Sequence, residues 1–141
     1  ADDLAGRRLA VASCGNAGLA AAIVAAAAGW PIDVCIPPDA DPSVVERLRE
    51  VGADVVICAR DGKPVMTAMG EIETTGAADP TLAVCRTLVA EHRSIPFSVQ
   101  GPECGLAVEG GHTMAFELLS ALARDHPEAL REGGLGNVYV Q

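Results

Sequence analysis

Apolar and polar positions alternate along this chain in blocks of strand and helix length. Leu9–Ala12 is a short apolar run that suits a buried strand. From Ala17 to Ala28 no side chain is polar. Twelve residues are too few to cross a bilayer, which takes about 20, but they suit a helix laid on a sheet. Gly29 fits the left-handed position after the helix, and Pro31 blocks continuation. Ile32–Ile36 reads as a second strand, and a single intervening helix predicts a right-handed parallel crossover. The turn Pro37–Pro42 leads to a helix capped by Asp41 or Ser43, with Val44, Val45 and Leu48 on its apolar face and Gly52 at its end. Asp54–Cys58 is the third strand. The βαβαβ order predicts an α/β fold, a three-layer Rossmann-like parallel sheet.

The pattern then breaks. Residues 60–80 hold Gly62, Pro64, Gly70, Gly76 and Pro80 without a sustained period, which predicts a long loop with at most a short helical or strand piece. Asp79 can cap a helix over Pro80–His92, with Leu82, Cys85, Leu88 and Val89 on one face. Ile95–Val99 follows as a strand, Gln100–Leu106 as a turn-rich segment, and Glu109–Arg124 as a helix whose Ala115, Leu118, Leu119 and Leu122 share a face. Gly133–Gly136 interrupts the chain before a last strand, Asn137–Gln141. There is no internal repeat. The first residues read as the middle of a protein, and the last strand has nothing to cover it, so both ends predict a fragment.

Composition narrows the chemistry. The 141 residues are the size of one domain and are 50% hydrophobic, with one Trp, one Tyr and two Phe, so the core must be built from Ala, Val, Leu and Ile. A net charge of −9 without a Lys/Arg cluster argues against a nucleic-acid surface. Cys14, Cys35, Cys58, Cys85 and Cys104 include no CxxC pair, and their odd number argues against a closed disulfide set. Cys35 and Cys58 fall in predicted strands and read as small buried residues. His92, His112 and His126 lack ligand spacing, so no metal is expected. Without a signal peptide or membrane span in view, a cytoplasmic location is expected.

The most informative segment is the turn Ser13-Cys14-Gly15-Asn16-Ala17-Gly18 between the first strand and helix. Backbone N–H groups and the helix dipole meet there, so the turn can hold an anion, with Ser13 and Asn16 adding side-chain hydrogen bonds. The same turn also suits any Rossmann-like βα unit in which Ser13 or Asn16 only caps the helix. The G-x-G-x-x-G and G-x-x-x-x-G-K-[ST] patterns are absent, which weakens nucleotide readings and a dehydrogenase domain in particular.

SCGNAG after an apolar strand resembles the asparagine loop, S-S/C-G-N-x-G/A, of the fold-type II pyridoxal-phosphate enzymes. PPDADPSVVERLREVGADVV resembles their next unit, and IPFSVQGPECGLAVEGGHTMAFEL resembles the threonine synthase branch, with its EG-x-x-T-x-A-x-E segment. The three occur in the family's order and cover nearly the whole chain. The resemblance implies pyridoxal 5′-phosphate as cofactor, with Asn16 hydrogen-bonded to its ring hydroxyl. It implies that Ser13, Cys14, Gly15 and Ala17 hold the carboxylate of a small amino-acid substrate, and that Ser98 and Gln100 line the substrate side. Cys14 departs from the commoner Ser, and packing is the expected role for it over a reactive thiol. Glu109–Thr113 reads equally as a helix start or a site.

The family's Schiff-base lysine lies upstream of the asparagine loop, and Lys63, the sole lysine, falls outside the pattern. The family's glycine-rich phosphate loop follows a strand like Asn137–Gln141. Residues 1–95 are therefore expected to form the small domain and 96–141 the return into a larger one, without activity in isolation. The expected parent is a soluble homodimer with no nucleic-acid or membrane partner. A threonine synthase-like reaction (phosphohomoserine to threonine plus phosphate) is favoured over threonine or serine dehydration or a diaminopropionate ammonia-lyase. A non-catalytic small-anion-binding module is the alternative of another class.

Overall fold

A computed structural model describes residues 4, 6–74, 78–91, 93–98 and 104–131. The elements run β1 (Arg8–Ala12), α1 (Asn16–Ala27), β2 (Ile32–Ile36), α2 (Pro42–Glu50), β3 (Asp54–Ile57), β4 (Val65–Thr67), β5 (Gly70–Ile72), α3 (Pro80–Ala90), β6 (Ser94–Pro96), α4 (Gly105–Asp125) and α5 (Pro127–Arg131). The chain divides into two compact units, Ala1–Cys104 and Gly105–Gln141.

In the first unit four strands form a parallel sheet in the order β3-β2-β1-β6. The period of two along each strand sorts side chains to its faces. Leu9, Val11, Ile32, Val34 and Ile36 meet Ala21, Ala22 and Ala25 of α1 and Leu48 of α2 on one face. Ala10, Cys35 and Val56 meet Val84, Cys85 and Leu88 of α3, together with Val65 and Ile72, on the other. The expected three-layer α/β fold is therefore present. Small residues on one face of α1 allow it to lie close to the sheet. Its other face, with Ile23 and Val24, is exposed, so the helix is buried on one side only.

Several boundaries differ from expectation. The predicted loop over 60–80 holds an antiparallel hairpin, β4–β5, in which Thr67 pairs with Gly70 across a two-residue turn. Its three-residue strands are too short to show a period. The third strand stops at Ile57, although the Cys58 N–H still donates to the Ile36 carbonyl at 2.8 Å. β6 begins at Ser94, opposite Arg8, and not at Ile95, and ends at Pro96, past which the Phe97 N–H still donates to the Ala10 carbonyl at 2.9 Å. The second unit's long helix starts at Gly105, four residues before the expected Glu109, despite Gly110 and Gly111 in its path. Its short successor α5, opened by Pro127, had no counterpart in the pattern. The predicted strand Asn137–Gln141 lies outside the described residues. No helix among the described residues is long and apolar enough to cross a membrane.

The helix caps follow the sequence. Asp41, not Ser43, caps α2: its carboxylate accepts from the Ser43 N–H at 2.8 Å and from the Ser43 hydroxyl at 2.7 Å. Asp79 caps α3, accepting from the Thr81 N–H at 3.0 Å, the Leu82 N–H at 3.3 Å and the Thr81 hydroxyl at 2.6 Å. The Thr81 hydroxyl bond holds the Asp79 carboxyl below its ordinary 3.8, aided by the helix amides and by Arg60. A carboxyl lowered in the folded state contributes stability above its unfolded value and loses it as pH falls through the folded value. Asp79→Ala should therefore cost about 1 kcal/mol at neutral pH and less in acid, once the carboxyl is protonated. Urea midpoints of the two chains at neutral and acid pH check this.

Candidate functional site

The sheet's connectivity selects one end of the molecule. From β1 the chain moves outward to β2 and β3, then returns to place β6 on the opposite side of β1. Open α/β sheets bind ligands outside the carboxyl ends of the strands at such a reversal. The residues that leave β1 there are Ser13 to Gly15.

Ser13 anchors the turn. Its N–H donates to the Cys35 carbonyl at 3.2 Å, and its hydroxyl oxygen accepts from the Gly18 N–H at 3.1 Å. Gly15 is the extended N-cap of α1 and offers no side chain to it. One early helix amide is thus satisfied by Ser13, while those of Asn16 and Ala17 have no acceptor among the described residues. Gly18 permits this arrangement: a Cβ there would stand 2.5 Å from the Ser13 carbonyl oxygen. Cys14 and Asn16 are exposed, and Ser13, Gly15 and Ala17 are half-buried, so the chain's own side chains do not cover the turn. Cys14 stands on an open wall and is not packed in the core.

A cleft of about 710 Å³ opens at this end. Ser13, Cys14 and Gly15 form one wall, and Pro37, Pro38 and Asp39 after β2 form another. Arg60 after β3 and Asp79 and Thr81 at the start of α3 complete it, with Cys35 and Cys58 as its buried floor. A hydrogen bond with Cys58, together with burial, pushes the Cys35 thiol up and keeps it protonated, which removes it as a nucleophile.

The structure brings together only part of the expected site. Ser13, Cys14 and Gly15 line the cleft, whereas Asn16 and Ala17 begin α1 beside it. Ser98 is half-buried just past β6, on the side of β1 away from β2, and is not in the lining. Gln100 lies outside the described residues. Glu109–Thr113 sits inside α4, where the Thr113 hydroxyl donates to the Gly110 carbonyl at 2.8 Å, so it is not a helix start. Lys63 is exposed and pairs with Asp61 at 3.2 Å, outside the cleft lining. The pattern overlooked Arg60 because it stood in a segment without period, and only the parallel placement of β3 brings it to the cleft.

These features coincide with a known family. The family model for pyridoxal-phosphate dependent enzymes matches residues 1–131. The chain belongs to this family. It is 34% identical over 98 residues to a probable D-serine dehydratase of Rhizobium etli, a match covering 70% of this chain and 21% of that protein. Its fold is similar to maize serine racemase (TM-score 0.53, 19% identity, 86% of this chain and 32% of that one). It is also similar to apo diaminopropionate ammonia-lyase of Escherichia coli (TM-score 0.54, 15% identity, 89% and 31%). The chain spans about a fifth to a third of the length of these proteins.

Proposed function

We propose that the full-length parent is a pyridoxal-phosphate-dependent lyase that removes the β substituent and the amino group of a small amino acid, leaving a 2-oxo acid and ammonia. The observation that carries this reading is the α1 N-terminus at an open cleft, where the Asn16 and Ala17 amides have no acceptor among the described residues. Free amides and the dipole favour a carboxylate there. Likeness to a probable D-serine dehydratase supports the reaction class. The residues fit the cofactor as well as the substrate. Asn16, exposed on the first turn, offers an amide for the cofactor ring hydroxyl, while Ser13, Cys14, Gly15 and Ala17 take the substrate carboxylate. When bound, pyridoxal phosphate supplies an electron sink for charge developing at the α carbon. This chain's part is to bind and orient: the Ser13 hydroxyl and the β1–β2 backbone bond fix the turn, and α1 holds the substrate's charge.

A threonine synthase-like reaction is the second reading, favoured by the resemblance over Pro96–Leu118. Assaying the loaded parent with D-serine, L-serine, threonine, diaminopropionate and O-phosphohomoserine in parallel decides between them. The lyase reading expects 2-oxo acid from at least one of the first four and no phosphate from phosphohomoserine. Phosphate release with threonine formation, and no 2-oxo acid, would reverse the order of the two readings. A parent that binds no pyridoxal phosphate would end both.

A further inference from the structure

Arg60 is the cationic side chain in the cleft lining, and the mechanism above gives it no task. It is exposed and makes no ion pair among the described residues. Its charge acts on Asp79, but Oδ1 of that carboxylate is committed to capping α3. Position adds to this. β2 separates β1 from β3, so Arg60 leaves the sheet about two strand spacings, ~10 Å, from the turn at Ser13. An arginine reaching back across β2 leaves room for one short side chain between its guanidinium and the α1 amides. Between the two, the loop after β2 carries Asp39, whose negative charge penalises an anion that is not seated on the guanidinium.

We propose that Arg60 reads a negatively charged group on the substrate's side chain, a second carboxylate or a phosphate ester. The cleft then takes amino acids with two anionic ends, one on the amides at Cys14–Ala17 and one on Arg60. This rests on the reading of the cleft as an amino-acid site. The planar guanidinium fork suits either anion through paired hydrogen bonds, which an ammonium does not reproduce.

The test uses the full-length parent loaded with its cofactor, so that inorganic phosphate does not report the cofactor's own phosphate site. Acetate, succinate and inorganic phosphate are titrated calorimetrically into wild type, R60A, R60K and, as a control on the same loop, K63A, with thermal melting to confirm folding. Succinate or phosphate should bind wild type and weaken about 10- to 100-fold in R60A, while acetate is unchanged. R60K should recover only part, and K63A should match wild type. Loss confined to succinate assigns a carboxylate, and loss confined to phosphate a phosphate ester. In turnover, KM for 3-hydroxyaspartate or O-phosphoserine should rise by the same factor in R60A, with KM for serine unchanged. Equal binding of both dianions by wild type and R60A would overturn the role of Arg60 alone. A parent that binds no acetate would overturn the amino-acid site itself.

Discussion

Replacing Asp33 by alanine is expected to cost about 3–5 kcal/mol of folding stability, the largest effect of any single change considered. Asp33 is fully buried in β2 and takes two hydrogen bonds from Arg8, Nε to Oδ2 at 2.8 Å and Nη2 to Oδ1 at 3.1 Å. The same guanidinium reaches the exposed Asp54 carboxylate on β3, so one cation ties three adjacent strands at the end away from the cleft. Removing Asp33 leaves that cation largely out of water with only an exposed partner. Domains have about 5–15 kcal/mol in total, so about a fifth of it or more would go. Asp54→Ala should cost no more than about 1 kcal/mol, because its carboxylate is solvated. Replacing Arg8 and Asp33 together by leucine and valine should be close to neutral, because no unpaired charge remains. Burial, more than the opposing Arg8, sets the Asp33 carboxyl, and it pushes that group up. A raised carboxyl contributes most below its unfolded value and less as pH rises through the folded one, so acid lability comes from lowered carboxyls such as Asp41 and Asp79 and not from Asp33. Urea melts of the four chains at neutral pH check the ranking.

Gly18→Ala should cost about 1–3 kcal/mol in stability and about 100-fold in kcat/KM of the loaded parent. The added methyl would lie 2.5 Å from the Ser13 carbonyl oxygen, and reaching ordinary contact means moving backbone by roughly 1 Å. The atoms that must move belong to the turn, and Ser13 would lose its bond from the Gly18 N–H. Gly29→Ala serves as the comparison. Gly29 sits at φ 66° with open space around it, so its strain is local and the turn is untouched. It should lower stability and leave kcat/KM within about twofold. Equal activity losses in the two variants would mean that the position of the turn is not what matters.

These two cases show what the order of residues discloses. The units β1–α1–β2–α2–β3 were legible because each is an apolar run of its own length ended by Gly or Pro, and the strand–turn–helix pattern picked out the turn at Ser13–Gly15 that lines the cleft. Asp41 and Asp79 were legible as caps because a cap acts within three residues of itself. The Arg8–Asp33–Asp54 cluster was not, because its members stand 25 and 46 positions from Arg8 and no periodicity names a partner. Arg60 escaped for the same reason: its place in the cleft depends on strand order. The β4–β5 hairpin escaped because three residues cannot display a period of two. Ser98 was read as lining the cleft from the family pattern, yet β6 delivers it to the far side of β1.

The central claim is that the turn at Ser13–Ala17 receives an amino acid's carboxylate. A crystal structure of the full-length parent with cofactor and a substrate amino acid tests it most directly. The account predicts carboxylate oxygens within about 3.2 Å of the Ser13 hydroxyl and of the backbone nitrogens at Cys14–Ala17, with the Asn16 side-chain amide toward the cofactor ring. A carboxylate held elsewhere, with those amides facing only solvent, would contradict it.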